Sequence, residues 1–254
     1  TARNLKTASG NIDLKAGGAV VVGSLDAGSG TIGLHADGAV DDDQDNSTLI
    51  VADTLNIQAA GSVGATGSTS VRHLDTQVNT VNVTAAGEVN LAEVDDLAIG
   101  TLETTQGNVS VTTGGSLELG SLTTGTTSDT VTLMVGGAVS NAKTDGSSNI
   151  DAASLAIRAG SGIGADKALN VKVGNLEAYS AAGSIKLKDL DGDLTIGGVT
   201  PNLGYAAITG VNTNGGDIEV STTGNLTVDE DVRNFGAGAI SLGAGGNVQQ
   251  NVDI

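Results

Sequence analysis

Residues 10–40 read GNIDLKAGGAVVVGSLDAGSGTIGLHADGAV. Gly10, Ile12, Leu14, Gly18 and Val20 return twenty residues later as Gly30, Ile32, Leu34, Gly38 and Val40. The unit is aliphatic–x–aliphatic, three residues, Gly–x–aliphatic. Further along it appears as Leu55/Ile57–Gly61–Val63, Val81/Val83–Gly87–Val89, Val109/Val111–Gly115–Leu117 and Val131/Leu133–Gly137–Val139. Ile218/Val220–Gly224–Leu226 and Ile240/Leu242–Gly246–Val248 close the series, while Leu155/Ile157 and Ile185/Leu187 keep the pair with the glycine displaced. A fixed period of this size is the mark of a stacked repeat architecture. A longer period overlies it, because GNVSVTTGGSLELGSL (107–122) mirrors GNIDLKAGGAVVVGSL (10–25). The chain is read as one domain over 1–254, with super-repeats near 12–108, 109–217 and 218–254.

The alternation in NIDL and DIEV has period two, which puts Ile, Leu and Val on one face of a short strand. No stretch carries apolar residues at helical spacing over three turns. The chain has 39 Gly, one Pro, no Cys, no Trp, one Phe and two Tyr. Aromatics are the usual large fillers of a core, and here they cannot fill one. The 63 Val, Ile and Leu residues exclude disorder of the weakly hydrophobic kind. Short strands, even Gly punctuation and an aliphatic-only interior predict an all-β protein, a single right-handed parallel β-helix of about ten coils. An antiparallel sandwich would ask for hairpin turns and larger core residues.

The net charge of −18 gives no electrostatic reason to bind nucleic acid or an anionic membrane. No apolar run approaches the ~20 residues of a membrane helix, and residues 1–25 do not read as a signal peptide. The absence of Cys excludes a disulfide framework and suits a chain exported unfolded.

The recurrent phrase G-N-[IV]-x-[LV]-x-x-G-G-x-[LV]-x-[LV]-G, with AGSGIGA, GDLTIGGV and GGDIEVSTTGNLTV, resembles the repeat regions of filamentous haemagglutinin-type large exoproteins, the giant β-helical adhesins of Gram-negative bacteria. The resemblance spans essentially the whole chain. It implies a structural shaft or display segment of a secreted or surface-exposed adhesin, non-catalytic and extracellular, with adjoining coils of the same chain and a host-surface or neighbouring-cell glycan or protein receptor as partners. No Asn-Pro-Asn-type export motif is found, so the chain is expected to be an internal segment of a larger protein.

Candidate chemistry is sparse, and no catalytic, cofactor or metal residue is assigned. Three acidic runs stand out: Asp41, Asp42, Asp43 and Asp45; Asp189, Asp191 and Asp193; and Asp229, Glu230 and Asp231. Clustered carboxylates can hold Ca²⁺, but DLDGDLTI has its Gly misplaced and no closing Glu, so solvated turns are the expectation. His35 should point outward, and His73 sits beside Arg72; neither has a zinc-type partner. The alternative function is a carbohydrate-active β-helix enzyme, a polysaccharide lyase or glycosidase, which needs facing carboxylates or a basic residue in a cleft. Arg3, Arg72, Arg158 and Arg233 are far apart in sequence. An ice-binding face would need a Thr ladder, whereas the residues between the aliphatic pairs are Asp13, Gly33, Asn56, Asn82, Ser110, Thr132, Ala156, Lys186, Glu219 and Ser241. The irregular loops 41–48, 123–130, 141–149 and 200–207 are expected to carry any binding surface. The Asn-x-Ser/Thr triplets at Asn46, Asn82, Asn108 and Asn225 are read as by-products of composition.

Overall fold

The computed structural model describes residues 1–64, 66–67, 70–71 and 73–252, with 66, 67, 70 and 71 as backbone alone. Arg72 lies outside the described residues. The chain is a parallel β-solenoid. Val20, Val40, Val63, Val89, Val109, Val131, Leu155, Leu176, Ile196, Val228 and Gln250 pair one after another in parallel register, so one column passes through eleven successive turns. Eleven rungs at ~4.8 Å make a rod about 50 Å long. That is one turn more than the repeat count predicts. Among the described residues, only the hairpin of Thr66–Gly67 with Ser70–Val71 pairs antiparallel.

Alternation works as the sequence predicts. In Ile12–Ala16 and Thr31–Ala36, Ile12, Ile32, Leu34 and Ala36 point inward and are buried. Ile12 stacks on Ile32, Ile32 on Leu55, and Leu55 on Val81. The interior is a continuous stack of Val, Ile, Leu and Ala. Medium-sized aliphatic side chains suffice because each layer need only fill the bore of a single turn.

The repeated glycine has a steric cause. A Cβ on Gly38 would lie 2.6 Å from the backbone N of Ala19, and one on Gly61 would lie 2.8 Å from that of Ala39. Successive coils touch backbone to backbone at this corner, where only glycine fits. The repeated Asn has an electrostatic cause. Asn11 Oδ1 accepts the Thr31 N–H at 2.9 Å, Asn108 Oδ1 that of Thr130 at 2.8 Å, and Asn225 Oδ1 that of Asn247 at 2.9 Å. Asp217 does the same for Ala239 at 2.9 Å. Each side chain reaches one coil up and satisfies a donor that the ladder leaves unpaired at a strand start. The G-N phrase is thus an inter-coil clamp, and two of the Asn-x-Ser/Thr asparagines, Asn108 and Asn225, are committed to it.

Candidate functional site

The acidic runs resolve into separate structural tasks. Asp42 is buried in the Val40–Asp42 strand, and its Oδ2 accepts the Gln44 N–H at 2.6 Å. Asp43 accepts from Asp45 N and Thr48 Oγ1 and pairs with Arg3 Nε at 3.2 Å. Asp45 accepts the backbone and side chain of Ser47, and those bonds hold its carboxyl below the usual carboxylate range. Asp189 turns inward, 1% exposed, and accepts from Thr222 Oγ1 and Val173 N. Asp193 points the other way and accepts the backbone and side-chain N–H groups of Asn225. Asp191 is exposed. Among the described residues no three His, Asp or Glu side chains gather as a metal site.

Inside the rod, Glu93 stacks in register between Thr76 and Thr113. It accepts from Thr76 Oγ1, Val78 N and Val94 N. Burial nonetheless pushes it up to about 7. This carboxyl organises a corner and faces no solvent. His35 is exposed as predicted, with Nδ1 2.7 Å from Gln58 Oε1. It lines a broad shallow groove with Asp13, Lys15, Asn56, Gln58 and Asn82 on the outer face of the first coils.

Of the loops expected to carry a binding surface, 200–207 takes a conformation that the sequence does not foretell. This segment lies flat along the rod as a strap. Asn202 donates through Nδ2 to Thr130 O at 2.8 Å and through its backbone N–H to Thr132 Oγ1 at 3.0 Å. The Tyr205 hydroxyl sits 2.7 Å from both Thr112 Oγ1 and His73 Nε2, joining residues 132 positions apart. Val199 and Ile208 pack on Ala156. Consequently Ser110, Thr132 and Ala156, read from the sequence as one outward row with Asp13 and Asn56, are fully buried under it. The same burial lowers His73 and raises Tyr205 from their ordinary values.

Two carboxyls hold the strap's ends. Glu177 Oε1 accepts the Val199 N–H at 2.9 Å. Glu230 accepts Gly198 N at 3.4 Å and Gly210 N at 2.7 Å. Glu177 is 2% exposed, and its Oε2 has no hydrogen-bond partner among the described residues. Burial first, and then the negative Glu230 beside it, push Glu177 up to about 7.

Against the strap's flank the structure brings together residues that the sequence scatters. Arg158, Tyr179, Asn212 and Arg233 stand on four consecutive rungs of one outward column. The Arg158 guanidinium lies 4.6 Å over the Tyr179 ring, and Asn214 Nδ2 donates to the Tyr179 hydroxyl at 2.9 Å. Arg233 pairs with Asp231 at 2.7 Å. Phe235, the chain's one Phe, is 65% exposed and lines the same groove, whose volume is about 220 Å³. Asn212 donates to Thr209 O, while its Oδ1 is buried without a partner among the described residues. The column spacings of 21, 33 and 21 residues hide this grouping, because the strap lengthens one coil. The scarcity of aromatics was the available signal: two of the three converge here.

No family model matches the chain, and no curated protein or solved structure matches it either.

Proposed function

We propose that this chain is a structural shaft or display segment of a secreted or surface-exposed bacterial adhesin, non-catalytic and working outside the cell. The observation that supports this best is the eleven-rung column of parallel pairing over an aliphatic interior, clamped at its corners by Asn and Asp side chains. Such a rod transmits load along its axis through stacked hydrogen bonds and holds surface features at set heights. Of the carboxyls whose proton affinity is raised, Glu93 and Asp189 are inside and hydrogen-bonded to the fold and Glu177 lies beneath the strap, so these three do not face a polysaccharide as general acids or bases, while burial also raises the half-buried Asp75 and Glu88.

Immunogold electron microscopy with antibody against this segment, on cells of the organism that makes it, tests the reading. Label on surface filaments or in the medium is expected; label confined to the cytoplasm refutes it. The carbohydrate-active alternative separates by turnover: release of reducing ends from acidic polysaccharides by the purified chain would replace the shaft with an enzyme.

A further inference from the structure

We infer that the groove formed by Arg158, Tyr179, Asn212, Arg233 and Phe235 binds an oligosaccharide carrying carboxylate groups. The chain has a net charge of −18 and only four Arg. Two of those four stand on one outward column beside the only exposed Phe. Arg158 has no carboxylate partner among the described residues; it rests on the Tyr179 face with its N–H edges free to receive one. Arg233 shares a single carboxylate, Asp231. With two guanidiniums against one carboxylate, the groove is a local site of positive charge on an acidic rod, which selects an anionic ligand.

Two further features specify a sugar. The exposed Phe235 ring offers a flat apolar face of the kind that the C–H side of a pyranose covers. The two Arg rungs are three intervals apart, ~14 Å at ~4.8 Å each. That distance calls for an extended oligosaccharide with a carboxylate toward each end, one ring of which fills the 220 Å³ hollow. The Asn212 bond to Thr209 fixes the strap as the groove's wall, so the site exists only because the strap lies down.

The assignment rests on the display reading for its biological use, though not for the binding itself. The test is calorimetric titration of the whole chain with trigalacturonate, beside maltotriose as the neutral trisaccharide and triglutamate as the acidic peptide. Saturable binding of trigalacturonate alone is expected, weakening as salt rises. Phe235→Ala and Arg233→Gln, both at exposed side chains, should each weaken it about tenfold. Lys15→Gln, in the distant groove, should leave it unchanged. Equal binding of maltotriose or triglutamate would overturn the assignment, as would no binding, or an equal loss in Lys15→Gln. Cleavage of the trisaccharide would refute the display reading while leaving the binding site standing.

Discussion

The Glu177 carboxyl makes a quantitative prediction. It lies under the strap, 2% exposed, with one oxygen on the Val199 N–H and the other unpartnered beside Glu230. Its ordinary value is 4.5, and in the fold it is pushed up to about 7. The folded state therefore holds this proton more tightly than the unfolded chain. Its contribution to stability is complete below pH 4.5 and is lost as pH rises through about 7. At 1.36 kcal/mol per pH unit, the gap is worth at most about 3 kcal/mol. Glu177→Gln removes the titration, and the amide can donate to Glu230 at every pH. Urea unfolding followed by circular dichroism should show both proteins equally stable near pH 4.5. The variant should gain progressively to a lead approaching 3 kcal/mol by pH 8. Glu93 titrates in the same window in both proteins and cancels from the difference. Curves that stay parallel across this range would refute the placement of Glu177 as a buried carboxyl that latches the strap.

Three other outcomes are expected. Tyr205→Phe removes the hydroxyl that ties the strap to Thr112 and His73, and should cost about 1 kcal/mol in urea unfolding, with the His73 ring resonances shifted. Asn108→Ala leaves the Thr130 N–H without its acceptor and should cost about 1–3 kcal/mol; Asn108→Asp, which keeps an oxygen there, should recover most of it. Gly38→Ala places a methyl 2.6 Å from the Ala19 nitrogen, so two coils must part; a lowered melting temperature is expected, whereas Gly17→Ala, with open space around it, should be nearly neutral.

The rod itself was legible because its determinants are local and repeated. Ile12 and Leu14, followed twenty residues later by Ile32 and Leu34, already state strand alternation and coil length, and the structure stacks those residues in register. The Asn of the G-N phrase was visible as a repeated letter, but its task was not. A side chain that bonds one coil up reads as a turn residue until the neighbouring coil is in place. The outward row failed at Ser110, Thr132 and Ala156 for a different reason. Alternation tells which face of the strand a side chain takes, while the cover on that face comes from a segment far along the chain, 70 residues later in the case of Thr132 and Asn202.

What the amino-acid order determined alone was therefore the period, the strand alternation, the aliphatic bore and the parallel stacking. Each follows from residues within one coil and their copies in the next. Only the tertiary structure decided that 200–207 lies down as a strap, that Glu177 and Glu230 hold its ends, and that Arg158, Tyr179, Asn212 and Arg233 share a column. Coils of unequal length bring different sequence separations to the same rung. The juxtapositions that could carry function therefore have no fixed spacing along the chain and arise only when the turns are stacked.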